Sequence, residues 1–435
     1  MRILEISWEY PPVIEGGLGR HVAKLSAALG AHGHRIDVLT RGAVPEQTLA
    51  GVAVHRVEIP PFTRELDAFI GWVNELNERL LARGRALLAD PEPSAAAGAG
   101  AGSMGDGAGD GGAGGDAGRY DVIHSHDWLV AGAARSLARE HGLPWLVTVH
   151  ATEFGRHNGW VHTHPQRAIH LTERAMVRDA DHVICCSDYM AGHVQRVFGL
   201  AAGSLSTIPN GIDAADLVPA RGTDLGALRR RMVDGRDGAE LMLLIGRLVY
   251  EKGFHVGLDA LAALAAERPG LRVVVAGAGP AEADLRRQAA DLGLIDRVRF
   301  LGRVHDELLH ALLAVADLTV VPSLYEPFGI VPLEAMAAGC PVIVSATGGL
   351  REVVAGCPEI PRVTPGDAEA LAGTIAAVLD DPTRRERMRA AGRAHAAGFS
   401  WPALAGQTEG VLAELRAHWA ASTAAAAVSL PVGAA

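Results

Sequence analysis

The stretch GRLVYEKG, residues 246–253, places two cations just after a run of apolar residues. Arg247 follows the run LMLLI and one glycine, and Lys252 comes five positions later. A guanidinium and an ammonium at the carboxyl end of one strand can together bind a diphosphate. Two solvated surface charges would give the same pattern. However, only Lys24 and Lys252 among the 40 basic residues are lysines, so the lysine here favours a role that needs a compact ammonium.

A second candidate is EPFGIVPLE, in which the carboxylates of Glu326 and Glu334 are eight positions apart. Glu326 follows the apolar run LTVVPS in a loop with Pro327 and Gly329, and Glu334 lies on the helix predicted next. A carboxylate can accept two hydrogen bonds from a vicinal diol such as a ribose, and N–H groups of the turn can bind further hydroxyls. Acidic residues near a helix N-terminus, favoured by the helix dipole, are an equal alternative.

A third candidate is the loop with Gly16, Gly17 and Gly19, between the first apolar run and the first helical pattern. Glycines at this place let backbone N–H groups approach a phosphate, and the helix N-terminus adds positive potential. A simple tight turn would use the same glycines, so the loop is a weak signal by itself.

All three motifs follow apolar runs that have the length of buried strands. Such runs alternate with helical patterns such as RHVAKLSAALGAHG, whose apolar residues recur every three or four positions. This alternation predicts parallel sheets with crossover helices, in which ligands bind at the carboxyl ends of strands. We therefore predict an α/β protein with two Rossmann-like, doubly wound domains facing across a cleft. The predicted strands are ILEI, RIDVLT, DVIHSH, WLVTVH and HVICCS, then LMLLIG, LRVVVAG, VRFLG, LTVVPS and PVIVSA.

The joint between the domains is predicted near IPNGIDAADL, residues 208–217. The amphipathic residues 71–89 predict a packed surface helix rather than one resting on a membrane. Residues 91–119 consist mainly of glycine, alanine and aspartate, which predicts a disordered insertion without a catalytic role. The predicted parts are an N-terminal domain at 1–213, a C-terminal domain at 214–400, a helix at 401–418 and a tail at 419–435.

Composition excludes several classes of protein. The net charge of −10 argues against nucleic acid as a partner, because phosphate backbones require a basic surface. No apolar run is long enough to span a membrane, and the N-terminus lacks a basic, signal-like start. The four cysteines form no CxxC motif, which favours buried thiols in a reducing compartment. These features predict a cytoplasmic protein.

The glycine pair, GRLxxxKG, EPFGxxxLE and NGID together resemble the retaining glycosyltransferases of the GT-B fold, family 4. The resemblance covers nearly the whole chain outside 91–119 and the tail. HSHDW, residues 124–128, resembles a segment of bacterial glycogen and starch synthases. The set SWEYPP, GGLGRHV, HDWLV, HATEFGRHNGW and YEPFG is similar to glycogen-synthase-like α-(1→4)-glucosyltransferases, some of which help build glycogen and methylglucose lipopolysaccharide. This implies glucose transfer from a nucleoside diphosphate glucose to an α-glucan. The N-terminal domain would bind the acceptor and the C-terminal domain the nucleotide sugar, with no metal or other cofactor.

The resemblance also implies how the diphosphate is held. Gly17, with Gly16 beside it, would offer backbone N–H groups to the donor diphosphate. Arg247 and Lys252 would neutralise the diphosphate and stabilise it as it leaves, so these cations would act mainly in the transition state. One departure is Glu15, which stands where typical glycogen synthases have a lysine shortly before the glycine pair. This departure leaves the donor nucleotide open.

The remaining roles implied by the resemblance concern the sugar and the ribose. Glu334 would bind the ribose diol, while Glu326 and the backbone of Phe328 and Gly329 would hold hydroxyls of the donor sugar. His150 would contact the sugar near its 6-hydroxyl. Two further residues complete the site, Asp127 on the sugar or acceptor side and Asn210 near the donor. The catalytic candidates are His150, Arg247, Lys252 and Glu326.

Other signals and functions remain as alternatives. The histidines between 150 and 170 lack the companion cysteines or HExxH spacing of a metal site, and Asp179 and Asp181 are interpreted as a helix end rather than a metal-binding DxD. A transferase of the same family with another donor sugar and a sugar-phosphate, inositol-phosphate or lipid acceptor is the main rival. An epimerase, a pyridoxal-phosphate-dependent phosphorylase and an inactive binding protein are weaker ones. The sequence does not give the oligomeric state.

Overall fold

The computed structural model describes residues 1–44, 47–49, 51–61, 66–89 and 119–428. The predicted insertion at 91–119 lies outside the described residues, apart from Arg119. The chain forms two compact units, of which the first comprises Met1–Val149, His162–Val183 and Thr408–Ala435 and the second His150–Val161 and Ile184–Gln407. The predicted boundary after residue 213 falls within the second unit, and the roles assigned to the two domains stay predictions.

The strands of the first unit form a mainly parallel sheet in the order β3-β4-β2-β1-β5-β6-β7. They are β1 (Arg2–Ile6), β2 (Arg35–Arg41), β3 (Gln47–Leu49), β4 (Val52–Val57), β5 (Val122–His126), β6 (Trp145–Val149) and β7 (His182–Cys185). Strand β7 runs into the second unit, where β8 (Leu205–Thr207) follows it in the sheet order. The short antiparallel pair β3–β4 was not predicted.

The helices of this part of the chain follow the predicted alternation. They are α1 (Gly17–Ala31), α2 (Leu66–Ala89), α3 (Ala131–His141), α4 (Glu153–Arg156), α5 (Gln166–Asp179) and α6 (Asp188–Phe198), of which α4 and α6 belong to the second unit. Helix α1 buries Val22, Leu25 and Leu29, the residues whose spacing predicted it. Helix α2 buries Trp72 and Leu76, which confirms the predicted packed helix.

The second unit contains a six-stranded parallel sheet in the order β11-β10-β9-β12-β13-β14. Its strands are β9 (Leu241–Ile245), β10 (Arg272–Ala276), β11 (Val298–Gly302), β12 (Leu318–Val321), β13 (Val342–Ser345) and β14 (Arg362–Val363). Its helices are α7 (Leu225–Met232), α8 (Phe254–Leu264), α9 (Glu282–Asp291), α10 (Asp306–Val315), α11 (Ile330–Ala338), α12 (Leu350–Val353), α13 (Ala368–Leu379) and α14 (Pro382–Ala396). Every residue of β10, β12 and β13 is buried, as expected for parallel strands covered on both faces.

This sheet order determines which loops meet. Strands β9 and β12 are parallel neighbours, paired through Leu318 with Met242 and Thr319 with Leu243. The loop after β9 and the loop after β12 therefore emerge at the same edge of the sheet. These are the loops that contain GRLVYEKG and EPFG.

The last helix, α15 (Trp401–Val428), extends past the predicted end at residue 418. The alanine-rich sequence after 418 has the highest intrinsic helix propensity, which accounts for the extension. Among the described residues, no helix combines the length and the apolar character that crossing a bilayer requires. The four cysteines are buried thiols, as predicted.

Candidate active site

The loop after β9 and the loop after β12 bring Lys252 and Glu326 into direct contact. Lys252 Nζ donates a hydrogen bond to Glu326 Oε2 at 2.6 Å, and Ser323 Oγ donates to the same oxygen at 3.3 Å. The Lys252 side chain is 20% exposed and that of Glu326 is 12% exposed. The sequence predicted these residues in two separate motifs, and the structure joins them as one ammonium–carboxylate pair that a ligand can still reach.

The backbone around the lysine is fixed by close packing between the two loops. Gly253 has φ +66°, and a Cβ there would lie 2.0 Å from the carbonyl oxygen of Pro322. The carbonyl of Glu251 accepts the N–H groups of Leu324 at 2.8 Å and Tyr325 at 3.2 Å. Only glycine permits this approach, so the KG pair of the motif serves both to position the ammonium and to join the loops.

Arg247 is exposed and lies two residues after the end of β9, and the residues before and after it both form backbone hydrogen bonds. Gly246 and Leu248 donate their N–H groups to the carbonyls of Ala276 and Ala278, each at 3.0 Å. A Cβ on the glycine between those alanines would lie 1.8 Å from the carbonyl oxygen of Gly246. Close backbone packing therefore explains the glycine at position 277, and it holds the base of the guanidinium side chain at the strand end.

The EPFG loop leads directly into α11. Gly329 precedes the helix with φ +120°, and a Cβ there would lie 2.6 Å from a methyl carbon of Leu350. Phe328 is buried, with its ring 6.3 Å from that of Phe399. Glu334 is buried within α11, whose first turn contains no acidic residue. The two carboxylates are therefore not a pair in the first turn of the helix, and their binding of a ligand stays a prediction.

His150 lies in the same unit as this loop. The Sγ atom of Cys186 is 3.9 Å from the carbonyl oxygen of His150 and 3.7 Å from that of Pro327. Ser187 Oγ donates to the Pro327 carbonyl at 2.6 Å. One thiol therefore contacts the backbone of both segments, so the structure brings the backbone of the predicted His150 next to the EPFG loop. Sequence reasoning assigned no role to Cys186 or Ser187.

The segment HATEFG also packs against the tyrosine that precedes EPFG. A Cβ on Gly155 would lie 2.2 Å from the hydroxyl oxygen of Tyr325. Burial raises the pKa of the Tyr325 phenol above its usual range. Thr152 Oγ1, which accepts the Gly155 N–H at 3.1 Å, lies 2.7 Å from His193 Nε2. The close approach of Tyr325 explains why the sequence has a glycine at position 155. The contacts of Thr152 order the chain that follows His150.

Asn210 is 4% exposed, and its Oδ1 accepts no hydrogen bond from the described residues. The following residues are held against the start of α15. A Cβ on Gly211 would lie 2.5 Å from the Trp401 ring, and Ile212 donates its N–H to the Phe399 carbonyl at 2.7 Å. A buried amide oxygen without a partner is destabilising unless a ligand or water satisfies it. The Oδ1 atom of Asn210 can therefore accept a hydrogen bond from a ligand, and its predicted role near the donor stays a prediction.

In the first unit, the predicted glycine loop is itself bound by a carboxylate. Gly17 begins α1, and the Gly16 N–H donates to Glu9 Oε2 at 3.0 Å. The Glu15 N–H donates to the same oxygen, and the Glu15 carboxylate pairs with Arg41 at 3.1 Å. Burial raises the pKa of Glu9. Glu9, which the sequence analysis did not identify, therefore holds the loop, and Arg41 offsets the charge of Glu15.

Asp127 follows β5 in the first unit and is buried, with φ +58° and ψ 177°. Its N–H donates to the carbonyl of Thr148 at 3.0 Å. A positive φ at a residue other than glycine is uncommon and is concentrated at functional sites. The strained backbone is consistent with the predicted role of Asp127.

The structure locates both signals that were set aside, the aspartates and the histidines. Asp179 is the last residue of α5 and Asp181 accepts the Trp145 N–H at 2.8 Å, so the predicted helix end is confirmed. In the part of the chain that the structure describes, the groups close enough to share a metal ion do not include the histidines at 157, 162, 164 or 170, and the expectation that no metal binds at His150 stays a prediction.

Two protein-family profiles match the chain, "Glycosyl transferase 4-like domain" over residues 16–211 and "Glycosyl transferases group 1" over residues 230–395. The chain is 39% identical over 416 residues to a glycogen synthase of Mycobacterium tuberculosis, which covers 94% of this chain and 93% of that protein. It is 32% identical over 403 residues to a D-inositol 3-phosphate glycosyltransferase of Geodermatophilus obscurus, which covers 89% of this chain and 82% of that protein.

A solved structure similar to this chain is sucrose-phosphate synthase from Thermosynechococcus elongatus. The TM-score is 0.75 at 26% sequence identity, and the match covers 96% of this chain and 100% of that one. The similarity therefore includes both sheets described above.

Proposed function

The chain belongs to the GT-B glycosyltransferases of family 4, which confirms the predicted family and fold, and we propose that it is a retaining α-1,4-glucosyltransferase. In this proposal it moves glucose from a nucleoside diphosphate glucose to an α-glucan such as glycogen or a methylglucose lipopolysaccharide precursor. The observation that supports it most is the contact between Lys252 and Glu326. It places a cation suited to phosphate beside a carboxylate suited to sugar hydroxyls.

The proposed mechanism begins with donor binding. Lys252 and Arg247 bind the diphosphate, and Lys252 turns from Glu326 towards phosphate oxygen. Glu326 then accepts hydrogen bonds from donor hydroxyls, which replace the one it accepts from the ammonium. As the glycosidic bond breaks, negative charge grows on the departing phosphate while the sugar becomes oxocarbenium-like, so fixed cations at the phosphate lower the barrier.

The other predicted residues complete the donor site in this proposal. Glu334 binds the ribose diol, and the N–H groups of Phe328 and Gly329 bind sugar hydroxyls at the start of α11. His150 contacts the sugar near its 6-hydroxyl, and the unsatisfied Oδ1 of Asn210 accepts from the donor. The acceptor hydroxyl attacks from the face that the phosphate leaves, and the leaving phosphate takes its proton. No metal or other cofactor takes part in this scheme.

The α-glucan acceptor is supported by the higher identity to the glycogen synthase than to the D-inositol 3-phosphate glycosyltransferase. The motif HSHDW points to the same acceptor. The second candidate is transfer to a small phosphorylated acceptor such as an inositol phosphate, which the 32% identity over most of both chains favours.

The test is release of nucleoside diphosphate from ADP-, UDP- and GDP-glucose, each with no acceptor, with maltooligosaccharide, or with inositol phosphate. Release that depends on maltooligosaccharide, together with chain extension, supports the proposal and identifies the nucleotide. Release only with inositol phosphate supports the second candidate. Donor conversion to another nucleotide sugar without acceptor would identify an epimerase instead.

A further inference from the structure

A buried cluster in the first unit is not used by the proposed transfer. Glu5 on β1 and His124 on β5 are register partners of two parallel strands, and His126 lies two positions along β5 on the same face. All three residues are 0% exposed. Such polar side chains are stable in a protein interior only when their charges and lone pairs are satisfied.

The atoms that face each other are not satisfied by hydrogen bonds. Glu5 Oε1 lies 3.5 Å from His124 Nδ1, and neither atom has a hydrogen-bond partner among the described residues. A hydrogen bond from N–H to oxygen is shorter, about 2.7–3.2 Å. Two ligands of a tetrahedral zinc ion, each about 2.0–2.1 Å from the metal, are about 3.3 Å apart. The observed separation therefore fits two ligands of one cation better than a shared proton.

We propose that Glu5, His124 and His126 bind a divalent cation of the zinc class. One ligand atom from each of the three side chains lies within 4.8 Å of the other two. One carboxylate with two imidazoles is a donor set that zinc prefers, and calcium or magnesium would require more oxygen ligands. Water fills the fourth position of the tetrahedron.

The residues around the cluster orient the ligands as metal sites require. His124 Nε2 lies 2.8 Å from Thr148 Oγ1, so Nε2 can carry the proton and donate it to the hydroxyl. In this tautomer Nδ1 is unprotonated, and its lone pair can bind the cation. Ser26 Oγ donates to the other carboxylate oxygen, Glu5 Oε2. The cation would link β1 to β5, two central strands of the sheet, and would act structurally rather than on the diphosphate.

The test is the metal content of the full chain. Because the cluster is fully buried, the cation must be supplied while the protein folds, so cells are grown with added Zn²⁺ or Co²⁺. We expect one zinc per chain by mass spectrometry, and the visible spectrum of tetrahedral cobalt after growth with Co²⁺. Glu5→Gln and His126→Asn should lose the metal, while His141→Ala, a histidine change at the far end of α3, should keep it. Ser26→Ala should weaken affinity about 10–100-fold.

Several outcomes would overturn the site. They are folded wild-type protein with less than about 0.1 zinc per chain, a cobalt spectrum that is octahedral, or Glu5→Gln protein with the full metal content. If the variants do not fold, the wild-type metal content and cobalt spectrum still decide. None of these readouts depends on transferase activity, so the inference stands or fails separately from the proposed function.

Discussion

Replacing Lys252 by alanine removes the ammonium on which the proposed transfer step depends. The pair with Glu326 is 2.6 Å long between side chains that are 20% and 12% exposed, so water screens it only in part. Removal of one preorganised electrostatic group lowers kcat by about 10²–10³, and a hundredfold loss corresponds to about 2.7 kcal/mol. We expect Lys252→Ala to lower kcat/KM at least about a hundredfold, mostly through kcat, because the charge on the phosphate develops as the bond breaks.

The assay is steady-state release of nucleoside diphosphate at varied donor concentration, with saturating acceptor. Lys24→Ala is the matched control, since Lys24 is the only other lysine in the sequence, and it should keep wild-type kinetics. Lys252→Arg keeps the charge but replaces the compact ammonium by a planar fork, so it should recover only part of the rate. Near-normal kcat/KM in Lys252→Ala would refute the role of the ammonium and, with it, the main support for the mechanism.

Four further changes test the backbone packing and one buried carboxyl group. Gly329→Ala places a side chain at φ +120°, so it should destabilise the protein by about 1–3 kcal/mol and raise KM for the donor in the same assay. Gly155→Ala should destabilise the protein by a similar amount, because the new methyl group displaces Tyr325. Gly373→Ala is the control, since this helical glycine has nothing within 4 Å of an added Cβ, and it should stabilise the protein by about 0.5–1 kcal/mol. Equal thermal unfolding midpoints for the Gly155→Ala and Gly373→Ala variants would contradict this. Glu9→Gln removes a carboxyl group whose pKa is raised above 4.5 in the folded state. Because folding favours the protonated carboxyl, the wild-type protein should lose stability relative to the variant as the pH rises from 4.5 through the folded-state pKa. A constant difference in denaturation midpoint from pH 4 to pH 8 would exclude this.

The sequence predicted the strands that position the site because buried parallel strands are continuous apolar runs. LMLLIG and LTVVPS correspond to β9 and β12, and their motifs follow each strand directly. The short pair β3–β4 was missed, since it has neither a long apolar run nor a tight hairpin signal. The extent of α15 was underestimated, because an alanine-rich sequence reads equally as a frayed tail or as a helix.

Contacts between distant parts of the chain could not be predicted from spacing. Lys252 and Glu326 are 74 positions apart, and only the neighbouring order of β9 and β12 brings them together. Cys186 approaches Pro327, 141 positions away, through a weak thiol contact that no sequence pattern marks. The glycines of the two motifs were a signal in the sequence, because glycine is the residue expected where the backbone has a positive φ, as it has at Gly253 and Gly329. The sequence shows that such glycines are there but does not show which backbone they allow to approach.

The carboxylate at position 15 shows how the structure changes an inference drawn from one residue. From the sequence, Glu15 adds negative charge beside the glycine loop, where the resemblance implies an anionic donor. In the structure this charge is offset by Arg41, whose guanidinium lies 5.1 Å from the Trp8 ring and 5.4 Å from the Trp72 ring. Arg41 is therefore engaged in its own unit and does not replace the lysine of typical glycogen synthases. In the proposed mechanism, neutralisation of the donor then depends more heavily on Arg247 and Lys252, so the loss of rate in Lys252→Ala should fall at the upper end of the expected range.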